Sequence, residues 1–433
     1  MNQKTKFKQT EIGLIPEDWE IKELQTTVSK LGDGLHGTPK YNKKGPYYFI
    51  NGNNLVEGKI KINSNTKKCP EKEFEKYKKE LNNRTIFVSI NGTLGNIALY
   101  NHEKVILGKS ACYFNVKEEF NILFIKYVLK NSYFQNYILS NATGTTIKNV
   151  SLKQMREFKF GIPKNHKEQK AIAKILSDLD SKIELLQKQN ETLEKIGSTI
   201  FKQWFVDFEF PNEEGKPYKS SGGEMVDSEL GEIPKDWSVG YLGDNNLTKI
   251  QKSGISNFQD EKIYLDTASV QDFEIVDKTT KITIKEKPSR ANMQPKPNTV
   301  WFAKMKDSRK LLFFDTFSDY DINRFILSTG FAGLEVKNYS LYYVWTFVLS
   351  DKFDIEKNNL CQGTTMQAIN NENIMKIKIL NLPKEVLQKF NKVVRSAFEK
   401  TYYNSCNIEY LIEIRDLLLP KFMSGKIRVR TND

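Results

Sequence analysis

The sequence predicts an α+β chain built twice over: two similar domains separated by two long coiled-coil helices, in a pseudo-twofold internal repeat. Three observations predict it: a repeat of long period, heptad spacing in two helical tails, and β-rich runs broken by turn residues in each copy.

The repeat is read directly. Ile12-Gly13-Leu14-Ile15-Pro16-Glu17-Asp18-Trp19 returns as Leu230-Gly231-Glu232-Ile233-Pro234-Lys235-Asp236-Trp237, a shift of 218 residues. Gly144-Thr145-Thr146 returns as Gly363-Thr364-Thr365 at 219, and Ile162-Pro163 as Leu382-Pro383 at 220. Leu193-x-x-Ile196 returns as Leu411-x-x-Ile414 at 218. Four matches in one order at nearly one offset mark two copies of a module of about 200 residues, far longer than the unit of a solenoid.

Each copy keeps one internal order. After the I-P-x-D-W segment come short apolar runs broken by Gly, Asn and Pro. Thr85-Ile86-Phe87-Val88-Ser89-Ile90 and Thr299-Val300-Trp301-Phe302 read as strands. Leu123 to Leu139 and Leu341 to Leu349 read as helical or mixed. The G-T-T loop, a last strand, a proline and a long helical tail follow.

The tails carry the clearest periodicity. Ile172, Leu176, Leu179, Ile183, Leu186, Leu193 and Ile200 alternate by four and three, with Asn190 and Gly197 in the gaps. The second tail, Lys384 to Met423, places Leu387, Phe390, Val394, Ala397, Ile408, Leu411 and Leu418 in a similar register, with a polar middle at Thr401, Asn404 and Ser405. One such helix cannot bury its own seam, whereas two can bury each other. At 1.5 Å per residue each is about 60 Å long, enough to hold two domains apart. Asn190 at a seam position is expected to set register. Phe201 to Ser228, with Pro211, Gly215, Pro217, Gly222 and Gly223, reads as the linker between copies. The resulting boundaries are 1–163 and 229–383 for the domains, 164–210 and 384–426 for the helices, and 211–228 for the linker.

Composition narrows the class. A chain of 433 residues with 39% hydrophobic and 27% charged content can bury a core in each of two or three domains. No apolar run reaches membrane-spanning length, and the polar, basic Met1–Thr10 stretch lacks the apolar region of a secretory signal. A cytoplasmic location is expected. Cys69, Cys112, Cys361 and Cys406 form no C-x-x-C pair, and His36, His102 and His166 are scattered, so reduced thiols and no metal site are expected. The formal charge of +13 favours polyanionic partners.

No cofactor is expected. Gly92 to Gly95 is the nearest approach to a Gly-rich loop and lacks the strand–turn–helix setting. No N/D-P-P-Y/F motif and no G-x-x-x-x-G-K-[S/T] loop is present. Asp315, Asp319 and Asp321 lie near one another without the following Glu and Lys of a nuclease centre.

Taken together, these motifs resemble the specificity subunits of type I restriction–modification enzymes. The resemblance rests on the paired I-P-x-D-W segments, Gly92-Thr93-Leu94-Gly95, the G-T-T loops, and Pro163-x-x-x-x-Glu168-Gln169-x-x-Ile172. It also rests on the run from Arg415-Asp416-Leu417-Leu418-Leu419-Pro420 through Gly425-Lys426-Ile427. It covers nearly the whole chain. In two places the pattern breaks: the second copy has Pro383-Lys384-Glu385 without E-Q-x-x-I, and Lys195-Ile196-Gly197 stands where the second tail has Ile414-Arg415-Asp416. The resemblance implies two target-recognition domains, each reading half of a split site in double-stranded DNA, spaced by antiparallel helices that set the unread gap. It implies two methyltransferase subunits and motor-nuclease subunits as partners, and no catalysis by this chain. A protein-binding scaffold and a modification enzyme with a diverged motif are the alternatives.

DNA contact would use Lys and Arg on phosphates, and Asn, Gln, Ser, Thr and Arg on base edges. Residues 21–160 sum to +12 and residues 241–380 to +2, of which 281–310 alone hold +7. In the first copy the candidates are His36, Thr38, Lys40, Asn51, Asn53, Asn54, Ser89, Asn91, Thr93, Lys109, Thr145, Thr146 and Lys148. In the second they are Ser289, Arg290, Asn292, Lys304, Lys306, Ser308, Arg309, Lys310, Thr364 and Thr365. Each loop has a plain turn reading beside this one, Asn91-Gly92 being a standard hairpin step. Trp19 and Trp237 are expected to be structural.

Overall fold

The computed structural model describes residues 5–244 and 247–429; the first four residues of the polar N-terminal stretch lie outside the described residues. The fold is mixed α+β. Its contacts divide into a first unit, Met1–Leu185 with Ile408–Asp433, and a second, Leu186–Asn407.

In the first unit, Thr85–Ser89 and Ala111–Val116 are buried along their whole length and pair at the centre of a four-stranded antiparallel sheet. Continuous apolar runs are what strands covered on both faces require. Ile97–Leu99 and Val28–Asp33 form its edges. A smaller sheet joins Val105–Leu107 in parallel to Tyr47–Ile50, which pairs antiparallel with Lys68–Cys69. Helices Ile122–Lys130 and Ser132–Ser140 follow, the first capped by Asn121, whose side chain accepts from the Phe124 amide at 2.9 Å. The last strand, Lys159–Pro163, returns to pair with Trp19–Glu23.

The second unit repeats this order. Thr299–Ala303 and Phe331–Val336 form the buried centre of an antiparallel sheet edged by Leu311–Phe314 and Thr248–Ile250. Phe325–Ser328 runs parallel to Lys262–Leu265, which pairs antiparallel with Lys281–Ile282. Ala291–Met293 is an added edge. Helix Leu341–Val348 follows, and Lys378–Asn381 returns to Ser238–Tyr241.

Two helices of 40 residues, His166–Phe205 and Lys384–Met423, contribute to both units. In the first unit Ile172, Leu176 and Ile183 are buried and Leu179 partly so; Leu419 and Phe422 are buried, while Leu418, Ile408 and Leu411 are partly buried. Asp180 meets Arg415 at 3.0 Å there. In the second unit Leu186, Leu387, Phe390 and Val394 are buried and Leu193 partly so. Within that unit Asn404 donates to Asn190 at 2.9 Å, and a Cβ on Gly197 would stand 3.5 Å from the Phe398 ring. One number falls as the other rises, so the helices pair antiparallel. Asn190 also donates to Ser405 at 3.2 Å, which makes a polar layer of the Asn190 seam position.

The second helix starts at Lys384 without the E-Q-x-x-I pattern, because Leu387 and Phe390 supply apolar anchorage instead. In the first helix the same position is polar. Gln169 donates to the Pro163 carbonyl at 2.9 Å and accepts from the Asn121 amide at 3.2 Å, stitching the last strand to the helix.

The I-P-x-D-W segments pack on helix ends. Trp19 is fully buried, and a Cβ on Gly425, past the end of the second helix, would sit 2.3 Å from the Pro16 ring and 3.5 Å from Trp19. In the second unit Trp237 packs on Phe205, Phe208 and Phe210. The stretch expected as a linker therefore begins with packed aromatic residues: Phe201 is partly buried, and Trp204, Phe205 and Phe210 lie in the core of the second unit. It ends in a short strand, Met225–Ser228, paired with Gly231–Pro234.

Glu194 offers a pH test. Burial, then the charges of Glu274 and Glu191, push its carboxyl up to about 7. The folded-state value stands above the unfolded one of about 4.3, so its contribution is full below about pH 4 and is lost as pH rises through about 7. Allowing for its partial exposure, the second unit is expected to lose about 1 kcal/mol between pH 5 and 8. Glu194→Gln should flatten that slope in denaturant titrations at the two pH values; an unchanged slope refutes the assignment.

Candidate nucleic-acid interface

The loops that carry the first-copy candidates follow strand ends at one end of the two sheets. Val28–Asp33, Tyr47–Ile50, Thr85–Ser89 and Val105–Leu107 all finish there, and Ala111–Val116 begins there. Backbone hydrogen bonds tie the loops together. Lys109 donates to Leu35 at 3.1 Å and Gly108 to Ile50 at 2.8 Å; Gly92 donates to Lys148 at 3.0 Å and Val150 to Ile90 at 2.8 Å. Ser110 is the hub. Its hydroxyl donates to Asn51 at 2.9 Å and accepts from the Gly52 amide at 2.8 Å, while its carbonyl accepts from Ile90 and Asn91. The sequence carried no signal for Ser110 beyond its place next to Lys109.

The second unit builds the same junction. Lys306 donates to Gln367 at 2.9 Å and Ile369 to Lys304 at 2.9 Å, the counterparts of the Gly92–Lys148 and Val150–Ile90 bonds. Lys304 donates to Gly330, Thr329 to Arg290, and Gly254 to Asn292. Thus 290–292, 304–306, 329–330 and 363–369 converge.

Both G-T-T loops are closed at their base by a reciprocal pair of backbone hydrogen bonds, Thr143 with Asn149 and Gln362 with Ala368. The glycines explain themselves: φ is +102° at Gly144 and +119° at Gly363, and a Cβ would stand 2.4 Å and 2.8 Å from a backbone oxygen across the turn.

The candidates divide by exposure. His36, Thr38, Lys40, Asn53, Thr93, Lys109, Thr145, Thr146 and Lys148 are exposed, as are Ser289, Arg290, Lys306, Thr364 and Thr365. His36 pairs with Asp33. The Lys40 amide donates to Glu73 at 2.9 Å. Asn91 is partly buried and donates to Asn149 at 3.2 Å; Asn292 is partly buried.

Several others serve the fold. Ser89 is fully buried and accepts from the Asn96 amide at 2.8 Å; Asn54 is buried and bonds the Asn51 amide and the Lys61 carbonyl. Asn51 accepts from Ser110. Arg309 pairs with Asp354 at 2.7 Å and donates to the Leu349 carbonyl at 2.5 Å, while Lys310 bonds the Thr267 carbonyl. The Ser308 carbonyl accepts from buried Lys357 at 2.8 Å. Buried Ser89 and Asn54 have no edge left for a base, while Asn51, Ser308, Arg309 and Lys310 are partly buried. Burial holds the ammonium of half-buried Lys304 below its ordinary range.

Among the described residues no group of three His, Cys, Asp or Glu is placed to hold a metal ion, and no helix is long and apolar enough to cross a membrane.

Known proteins share this plan. The family model described as the type I restriction modification DNA specificity domain matches residues 16–195. The type I restriction enzyme MjaIX specificity subunit of Methanocaldococcus jannaschii is 27% identical over 453 residues, covering 98% of this chain and 97% of that protein. The HindI specificity subunit of Haemophilus influenzae is 25% identical over 67% of this chain and 73% of its own length. The crystal structure of the type I restriction–modification S subunit from M. genitalium superposes with a TM-score of 0.58 at 18% identity, covering 94% of this chain and 96% of that one, and so has the same fold. In motifs, fold and full-length alignment, the chain is similar to the specificity subunits of type I restriction–modification enzymes.

Proposed function

We propose that this chain reads DNA for a type I restriction–modification complex. The region 1–163 takes one half of an asymmetric bipartite site and 229–383 the other. The helices within 164–210 and 384–426 act as a coiled-coil spacer that sets the unread gap, and 211–228 joins the two copies. Two methyltransferase subunits and motor-nuclease subunits supply the chemistry on double-stranded DNA in the cytoplasm. The specificity subunit itself is not an enzyme.

One observation carries the reading: the same hydrogen-bonded loop junction recurs in both units while the exposed side chains on it, the shared Thr-Thr pair aside, differ. A common scaffold with different polar edges is what two half-sites of different sequence require. The exposed candidates Asn53, Thr93, Thr145 and Thr146 in one copy, and Ser289, Arg290, Thr364 and Thr365 in the other, are the proposed base-side residues. Lys109, Lys148 and Lys306 are the proposed phosphate contacts. Lys109→Ala is expected to weaken binding uniformly across sequences and to reduce the salt slope by about 0.9.

The decisive experiment maps methylated adenines genome-wide with and without the gene. A split, asymmetric motif that vanishes on deletion is expected. An unchanged methylation pattern, or a motif that is not split, rejects the proposal.

A further inference from the structure

The tips of the two G-T-T loops share a feature that base reading by polar side chains does not use. Ile147 is 59% exposed and Met366 is 71% exposed, and they stand at equivalent positions, 219 residues apart like Gly144 and Gly363. Each unit thus presents one bare apolar side chain at the same point of the same loop. The loops hold these side chains out. The bonds closing Thr143 to Asn149 and Gln362 to Ala368, with a left-handed glycine inside each, keep the tip from folding back onto its own unit.

The flanking residues are largely polar and cationic, with one further exposed methionine, Met305, bridged to Ala368 in the second unit. Thr145, Thr146 and Lys148 are exposed beside Ile147, and the Lys148 carbonyl takes the Gly92 amide. Thr364 and Thr365 are exposed beside Met366, and Lys306 donates its amide to the neighbouring Gln367. A partner protein with an apolar pocket would favour an apolar rim here. Exposed apolar tips flanked along the chain by threonines and a lysine fit a partner that is anionic outside and apolar within, as stacked base pairs between phosphates are.

We propose that Ile147 and Met366 are wedges, each pressing between two base pairs of its half-site and partly unstacking them. Insertion of Ile or Met side chains at a base step is a general way to kink a duplex. Each unit would then recognise its half-site partly through how easily one step opens, a reading carried by DNA deformability. This inference rests on the DNA-reading function proposed above.

The test uses the complex of the full chain with its co-purified partners, and duplexes carrying the site mapped by methylation. 2-Aminopurine is placed at successive positions through both half-sites. Wild-type complex is expected to raise the fluorescence at one step in each half. Ile147→Ser should abolish the rise in one half only and Met366→Ser in the other only. A mismatch placed at the bright step should tighten wild-type binding several-fold, and the matching serine variant should lose that preference. Fluorescence that never rises with wild type, or that persists in both variants, overturns the wedge while leaving DNA reading intact. Loss of the methyltransferase subunits from the serine variants would instead assign these side chains to a protein contact and also overturn it. Failure of the wild-type complex to bind the mapped duplex at all would sink the underlying reading.

Discussion

Replacing Asp180 with alanine is expected to destabilise the first unit by about 3 kcal/mol, at the low end for breaking a buried ion pair. Three cations share this carboxylate: Lys126 at 3.3 Å, Lys130 at 3.4 Å and Arg415 at 3.0 Å. The Tyr127 hydroxyl donates to it at 2.8 Å. Burial alone would raise the carboxyl, but Lys130 and Lys126, with bonds from Tyr127 and Arg415, hold it at about 2. Lys126 and Arg415 are only 12% and 15% exposed, so deletion leaves like charges crowded in poor solvent. Burial already lowers Lys130, with Asp180 opposing that shift. The loss falls at the low end because Asp180 keeps 21% of its side chain in water. The folded value lies below the unfolded one of about 3.9, so this contribution is full above about pH 4 and disappears as pH falls through about 2. Denaturant unfolding of Asp180→Ala beside wild type checks the size; a difference under about 1 kcal/mol would place the cluster among ordinary surface pairs.

Arg428→Ala is the second large effect, about 2–3 kcal/mol by loss of a bidentate partner from a buried carboxylate. Arg428 contacts Glu168 at 2.5 and 2.7 Å and Asp18 at 3.0 and 2.6 Å. The Glu168 side chain is 5% exposed, so removing the guanidinium strands its charge. Its place in the first turn of the long helix moderates the loss, since the positive helix end also favours it. A double variant, Arg428→Ala with Glu168→Gln, should therefore lose less than the two single losses added, by about 1–2 kcal/mol. Additive losses would mean the pair does not act as a unit. There is an independent reading by NMR titration: hydrogen bonding from Arg428, opposed by burial, holds the Asp18 carboxyl below its ordinary value, and in Arg428→Ala it should rise.

These pairs also give a physical reason for motifs that sequence could only align. In I-P-x-D-W, Asp18 reaches Arg428 and Pro16 and Trp19 receive Gly425, so the opening and closing segments of the chain meet in one unit. In E-Q-x-x-I, Glu168 takes the same arginine while Gln169 ties helix to strand. Nothing local announces such pairs, whose members stand 260 and 410 positions apart.

Site legibility was uneven for a similar reason. Polar, glycine-containing loops were visible, but Asn53 and Asn54 look alike in sequence, and one is exposed while the other is buried and bonded inward. Ser89 and Thr93 divide the same way. Arg309, an attractive base reader by type, is held by Asp354 and the Leu349 carbonyl. Gln367 carried no signal, and Ser110 none beyond its place next to Lys109, because their role is to accept or donate across loops brought together by a parallel strand pair and a closing turn.

From residue order alone came the doubling, the strand-rich runs, the position of both G-T-T turns and the heptad faces of both long helices. All of these rest on spacing along the chain, and spacing is a local property set by backbone geometry and the wish of apolar groups to share one face. Only the tertiary structure decided which polar side chains are exposed, how Asn190 is bonded by Asn404 and Ser405, and that Ile147 and Met366 stand exposed at the two loop tips. Those outcomes depend on whether a buried donor or acceptor finds its complement. That complement arrives from another part of the chain, through folding rather than through proximity in sequence.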